Sequence, residues 1–435
     1  MMSAETIVYD EAYIREFSKR RQEPVWLLEC RLRGLALMKE LALPKPEKTN
    51  IENWNFHAFQ HDVEPKGTSS LAALPEDVKS LIGKDSEAGN VIVQQNGAVV
   101  HQELSEDLKN KGVIFTDFLT AVKEHGDLVQ KYFMTEAVQV DEHRLTAMHA
   151  ALLNGGVFLY VPKNVEIEVP LQAIFWQDDA GAGLFNHVLI VADDNSSVTY
   201  VENYLSTNAG EPSVANIISE VYAGSNATIR YGAVDHMGET VTSYINRRGR
   251  IDHDGRIEWA LGKMNDGNTV SENWTKCLGN GSTSEAKMVT IGRGEQRQNF
   301  MVRIDQIGQH SDGQIFAHGV MKDRATGIFN GIGKIYQGGK KSNAEQTSRI
   351  LMLSDKARGD ANPILLIDED DVTAGHAASV GRVDDLQLYY LMSRGISRDE
   401  AERMIVRGFL DPVVRNLPIE GVKQALEGVI ERKIQ

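Results

Sequence analysis

Residues 368–410 read DEDDVTAGHAASVGRVDDLQLYYLMSRGISRDEAERMIVRGFL. The stretch opens on four consecutive acids, Asp368 to Asp371, and then sets one histidine, His376, among small residues. Two amphipathic helices follow. Asp384 with Gln387 supplies an N-cap and N3 pair for the first, and Gly395 stands where a left-handed C′ residue closes it. Ser397 with Glu400 is an S-x-x-E capping box for the second, which carries Ala401, Met404, Ile405 and Phe409 on one face. A helical hairpin of this kind needs a surface to lie against, and its remaining aromatics point to a protein partner.

Upstream, from about Val157 to about Ile367, the texture changes. Short runs rich in Val, Ile and aromatics, such as Val157-Phe158-Leu159-Tyr160-Val161, Val188-Leu189-Ile190-Val191 and Ile257-Glu258-Trp259-Ala260, are broken by small polar turns. The turn dipeptides Asn195-Ser196, Ser225-Asn226, Asp254-Gly255, Asn280-Gly281 and Asp312-Gly313 recur at intervals of 26 to 32 residues. Strands on both sides of turns with that period imply stacked β coils or a sandwich of short strands. The pattern by itself leaves the two level. No helical pattern intervenes, which argues against a doubly wound α/β sheet.

Residues 1 to about 150 read as mostly helical. Val25 to Leu41 is amphipathic, and Pro44-Lys45-Pro46 stops it. Asn50 to Gln60 looks packed by its aromatics. Val91-Ile92-Val93 and Ala98-Val99-Val100 flank Asn96-Gly97, a hairpin signal. Helix returns at Phe115–Val122 and Ala147–Leu153.

The bulk properties exclude several classes. The chain has 435 residues, 25% of them charged and 42% apolar, as in ordinary globular proteins. A net charge of −15 argues against nucleic-acid binding, which rests on cations neutralising phosphates, and against docking on an anionic membrane. Two distant cysteines, Cys30 and Cys277, form neither a disulfide framework nor a C-x-x-C metal site. With no apolar leader and no membrane-length run, the expected compartment is the cytoplasm.

Catalytic motifs are missing. Gly327 to Lys334 has the wrong glycine spacing for a phosphate loop, and Ile335 stands where Ser or Thr is needed; turns or bulges account for this segment, Gly292–Gly294 and Gly338–Lys341. There is no G-x-S-x-G elbow, and Cys277 sits in an apparent strand as a small buried hydrophobe. His143 and His149 lack a third ligand at suitable spacing, so they read as helix-surface or core residues.

Asp370-Asp371-Val372, His376, Ala378-Ser379-Val380-Gly381, Asp384, Gln387-Leu388, Tyr390-Leu391, Ser393-Arg394-Gly395-Ile396 and Gly408-Phe409, in that order, resemble the C-terminal region of the SufB/SufD family. These are iron–sulfur cluster assembly proteins that work with the ATPase SufC. The resemblance implies a mainly β fold: a right-handed parallel β-helix core at residues 151–378, between a mostly helical region at 1–150 and a C-terminal helical domain at 379–435 that binds the ATPase. The family has two branches. SufB carries a cysteine in its last coils, in a segment reading roughly T-Q-C-D-S-L-L-I. The matching segment here runs from Ala344 to Leu353 with Thr347 in the cysteine's place, and a hydroxyl does not replace a thiolate as a soft ligand. The SufD branch carries the histidine found here as His376, in some members with a cysteine two residues earlier, where this chain has Ala374. The chain resembles the SufD branch.

That resemblance implies a non-catalytic subunit of a cytosolic SufBCD complex, pairing with SufB, or with itself where SufB is absent. It implies His376 as a metal ligand shared with a partner, because one imidazole cannot build an iron site. Tyr389, Tyr390, Met392, Arg394, Gly395, Ile405 and Phe409 would form the surface for SufC. No cofactor is expected on the chain alone; an iron–sulfur cluster would be held transiently in the complex, with which reduced flavin is associated. Two rival classes are a β-helix polysaccharide lyase or hydrolase, which needs clustered Asp, Glu, Lys or Arg along one face, and a structural solenoid without chemistry.

Overall fold

Residues that tolerate a left-handed backbone set the period of this chain. In the computed structural model, which describes residues 9–63, 74–82, 89–207, 210–415 and 420–434, Asn164, Asn195, Asn226, Asp254, Gly281, His310 and Lys341 all have φ between 52° and 71°. Asn, Asp and Gly reach this region most easily, since a short polar side chain bonds locally and glycine has no Cβ. They stack into one corner of a coil. The Asn195 N–H donates to Ser225 O at 2.9 Å, Asn226 to His253 O at 2.8 Å and Asp254 to Asn280 O at 2.8 Å. The side chains repeat the pattern, Asn226 Nδ2 donating to Asn195 Oδ1 at 3.1 Å and Asn195 Nδ2 to Asn164 Oδ1 at 3.0 Å.

The N-terminal elements are α1 (Glu11–Arg20), α2 (Val25–Glu40), α3 (Glu76–Lys79), β1 (Val91–Gln95), β2 (Ala98–Glu103), α4 (Glu106–Asn110), β3 (Ile114–Asp117), α5 (Phe118–Glu124), α6 (Gly126–Tyr132) and α7 (Arg144–Leu152). The coils follow as β4 (Gly155–Val161), β5 (Leu171–Gln177), β6 (Gly183–Ala192), β7 (Ser197–Ser206), β8 (Ser213–Ala223), β9 (Thr228–His236), β10 (Val241–Ile251), β11 (Arg256–Lys263), β12 (Thr269–Cys277), β13 (Thr283–Gly292), β14 (Arg297–Gln306), β15 (Asp312–Met321), β16 (Thr326–Ile335), β17 (Asn343–Met352), β18 (Arg358–Ile367) and β19 (Thr373–Arg382). Last come α8 (Asp385–Ser393), α9 (Arg398–Val414) and α10 (Glu420–Ile434). Even-numbered strands from β4 to β18 form one sheet and odd-numbered strands from β5 to β19 the other. The result is a parallel β-solenoid of about eight turns, with 42% strand and 24% helix.

Period two sorts each strand into a lumen face and an outer face. On β7, Val198, Tyr200 and Tyr204 join the lumen core, while Val201 lies against the C-terminal helices. Those helices cover one sheet: Val406, Leu410, Val413, Val422, Leu426 and Val429 pack on Val201, Val234, Ala260, Val289 and Val320. Burying each such side chain contributes roughly 1.5–3 kcal/mol. Gly262 lets α10 come close, since a Cβ there would collide with Leu426.

Several expectations need correction. Asp312-Gly313 is not a turn; the corner is at His310, and Gly313 faces the lumen, where a Cβ would lie 3.0 Å from Gln306 Oε1. Gly327, Gly331 and Gly333 are mid-strand in β16 rather than at a turn or bulge, making room for Met321, Gln346 and Leu365. Phe115 belongs to β3, and its helix starts only at Phe118, where Asp117 caps it by accepting from Thr120 N–H at 3.0 Å. β1 pairs parallel with β5 and β3 antiparallel with β4, so the first 150 residues supply strands to both sheets. At the other end β19 runs to Arg382, and the expected junction at 378/379 falls inside it.

Candidate functional site

The two ends of the solenoid differ. At the first coil, β2 and β3 continue the two sheets as antiparallel strands, and α5, α6 and α7 bury side chains against the first coils. At the last coil, β18 and β19 are the outermost strands of their sheets and pair with no further strand among the described residues. Every residue of β19 except Gly375 is exposed, Val380 by 41%. Two parallel ten-residue edges with free backbone donors and acceptors are a template for pairing with another chain.

His376 lies on this edge. It pairs in register with Gln346 of β17, so both point to the lumen side. Gln346 is buried; its Nε2 donates to Ile364 O at 2.9 Å, and its Oε1 has no partner. Thr347 pairs with Ala377 and faces outward, so Thr347 and His376 are on opposite faces. No group of three His, Cys, Asp or Glu residues suited to a metal ion occurs among the described residues. The acids before His376 serve the coil: Lys341 Nζ pairs with Asp371 at 2.8 Å and the Gly338 N–H donates to Glu369 at 2.9 Å, which holds that carboxyl below its usual range.

The hairpin beyond is only partly as read. Asp384 caps α8 by accepting from Leu386 N–H at 2.9 Å, and Gly395 has φ +83°. Ser397 accepts from Glu400 N–H at 3.3 Å, but the Glu400 carboxylate turns to Arg403 at 3.3 Å, so only half of the capping box forms. Tyr389 and Tyr390 are 70% and 56% exposed, Met392 and Leu386 are exposed too, and Arg394 lies over the Tyr390 ring at 4.9 Å and donates to its hydroxyl at 2.8 Å. Ile405 and Phe409 are different: they pack against the core beneath α9, where His318 Nδ1 meets Phe409 O at 3.0 Å. Met404 is exposed, and the buried face of α9 is Ala401, Val406, Leu410 and Val413. The free surface is therefore α8 and the turn after it.

Other candidates resolve into structure. His143 caps α7 in a capping box with Thr146, and His149 is fully buried. Cys277 lies in the lumen core, where burial pushes its thiol up to about 12; burial likewise pushes Cys30 up to about 11. One feature of the open end had no local signal. Lys48, from the segment after α2, donates to Asn362 Oδ1 on β18 at 2.6 Å and pairs with Asp360 at 3.5 Å, across 314 residues of chain.

The sequence profile described as "SUF system FeS cluster assembly, SufBD core domain" matches residues 175–409, more than half of the chain. The chain belongs to the SufBD family. A second profile, the SufBD protein N-terminal region, matches residues 86–173, so the two meet within β5. The chain is 59% identical, over 98% of both chains, to the "Iron-sulfur cluster assembly protein SufD" of Bacillus subtilis (strain 168). It is 28% identical, over 94% of this chain and 90% of the relative, to an "Iron-sulfur cluster assembly SufBD family protein" of Staphylococcus haemolyticus, and equally similar to one of Staphylococcus aureus. As a SufBD chain it carries the family's core profile through Phe409, which takes in the open coil, α8 and most of α9. No helix among the described residues is long and apolar enough to cross a membrane.

Proposed function

We propose that this chain is the SufD-type, non-catalytic subunit of a cytoplasmic SufBCD iron–sulfur cluster assembly complex. The observation that carries the reading is the uncapped last coil, with two ten-residue edges of which β19 bears His376. SufB's β-helix would meet that coil, with a second copy of the chain taking its place where SufB is absent. SufC would dock on α8 through Tyr389, Tyr390, Met392, Arg394 and Gly395. The iron–sulfur cluster is cargo: His376 would offer one nitrogen, with the remaining ligands coming from the partner. Reduced flavin would be bound by the assembled complex rather than by this subunit. The buried Cys277 and half-buried Cys30 thiols, held well above neutral pH, and the glycines built into β16 support a role without chemistry of its own. Affinity capture of the tagged chain from extract of its own organism tests the proposal. SufB and SufC are expected to come with it; recovery of the chain without either, both being present in the extract, would overturn it.

A further inference from the structure

Between the N-terminal helices and the first coils, far from the open last coil, runs a chain of buried polar groups. Asn216 on β8, His149 on α7, His187 on β6 and Glu220 on β8 are all sealed from solvent. Their donors and acceptors follow from one end. Asn216 Nδ2 donates to Leu145 O at 2.9 Å, so its Oδ1 is the atom that faces His149 Nδ1 at 3.2 Å and accepts that nitrogen's proton. A neutral His149 then has a bare Nε2, which lies 3.1 Å from His187 Nδ1. His187 must therefore carry its proton on Nδ1, which leaves its Nε2 bare. That bare nitrogen lies 3.3 Å from Glu220 Oε1 and has no other partner. Glu220 in turn accepts from Met134 N–H at 2.6 Å, Val138 N–H at 3.1 Å and the Tyr222 hydroxyl at 3.2 Å.

A bare imidazole nitrogen against a bare carboxylate oxygen, with no water between them, repels; one added proton turns the contact into a hydrogen bond. We propose that the folded protein holds Glu220 as the neutral acid beneath residues 134–152, so that release of this segment from the solenoid is coupled to ionisation of the carboxyl it buries. Placing the proton on the carboxyl rather than the imidazole follows from the surroundings. The rings of Phe118 and Phe133 stand 5.1 and 4.6 Å from that of His187, so an imidazolium would be desolvated. The nearby cations are already engaged: Arg31 with Glu23, and Arg248 with Glu142 and Glu272. Cys30 on α2 and Tyr222 complete the titratable groups around the site.

Burial raises Glu220 to about 8 from 4.5, outweighing the Met134 and Val138 N–H groups that favour the anion, and lowers His187 from 6.5 to about 3. The folded state keeps a proton on Glu220 that the unfolded chain releases above pH 4.5, so this group costs stability as pH rises from 4.5 to 8. His187, and His149 in the same direction, add stability as pH rises toward 6.5 and nothing beyond. Above pH 6.5 Glu220 acts alone, and the segment's hold on the solenoid weakens.

Infrared difference spectra of the full chain against E220Q, and hydrogen exchange of peptides within residues 134–152, test this. At pH 7 the wild type should show a protonated-carboxyl band that E220Q lacks. From pH 6.5 to 9 its exchange, corrected for the intrinsic rate, should rise by about thirtyfold, tenfold for each pH unit up to the carboxyl's folded pKa of about 8 and little above it, while E220Q stays flat. Absence of the band at pH 7, or an equal rise in E220Q, would overturn the proposal. Should E220Q not fold, loss of the wild-type band between pH 7 and pH 10 decides for it, and no change decides against it.

Discussion

Replacing Arg247 by methionine should separate a stabilising buried charge network from a merely tolerated one. Arg247 stands in the lumen on β10, fully buried, and its guanidinium makes four hydrogen bonds: two to Glu202 Oε1 at 3.1 and 2.7 Å, and two to Asp235 at 3.0 and 2.7 Å. Lys263 Nζ completes a neutral set by donating to Asp235 at 2.8 Å. Burial pushes Asp235 up, but Arg247 and Lys263 outweigh it and hold it at about 2, whereas burial leaves Glu202 raised despite Arg247. In R247M the Asp235–Lys263 pair survives and Glu202 keeps the hydroxyls of Tyr200 and Tyr204, at 3.2 and 3.5 Å, and that of Tyr231 beside it. An uncompensated buried charge costs about 3–5 kcal/mol, but Glu202 can escape part of that cost by taking a proton. Its folded pKa would rise further above the unfolded value of 4.5, so the deficit against wild type should be small at pH 5 and reach its full size by pH 8. Urea unfolding followed by circular dichroism at the two pH values measures it. The double variant E202Q/R247M, which restores neutrality, should recover most of the loss at pH 8. A deficit of equal size at both pH values, or a double variant no more stable than R247M, would refute the reasoning.

Two further predictions concern the open end. His376→Ala should leave the fold and SufC binding unchanged, because the side chain is exposed on an edge strand, while cluster formation by the assembled complex drops sharply and His376→Cys retains part of it; complementation of a strain lacking the protein, with an iron–sulfur enzyme as readout, returns His376 to a structural role if the alanine variant is fully active at normal protein level. Replacing Tyr389 and Tyr390 together by alanine should weaken SufC binding by at least 2 kcal/mol, about thirtyfold, with an unchanged circular dichroism spectrum, and undiminished affinity by calorimetry would remove α8 from the docking surface.

What could be read in the sequence is what neighbouring residues decide among themselves. Asn96-Gly97 closes the β1–β2 hairpin with φ of 50° and 89° at the two residues, and Asp384 and Ser397 cap α8 and α9, because in each case the side chain or the lack of a Cβ acts on backbone a few residues away. The recurring Asn and Asp corners gave the coil length for the same reason. The candidate site was legible only as a string of residues around His376 and α8, carried by likeness to a family; which of them share a free surface was not. Ile405 and Phe409 sit at the right helical spacing for a docking face, yet the solenoid itself takes them.

Tertiary structure alone decided the rest. Both faces of a coil can be covered, the lumen face by the opposite sheet and the outer face by helices, so a strand such as β8 is buried throughout and its alternation no longer tells inside from outside. That is why Glu202, Asp235, Arg247 and Lys263 gave no sign of meeting in the lumen; that Thr347 and His376 fall on opposite faces follows instead from the register of β17 with β19. Lys48 reaches Asn362, and His149 reaches His187, because stacked coils bring together residues whose separation in the chain carries no information about their distance in space.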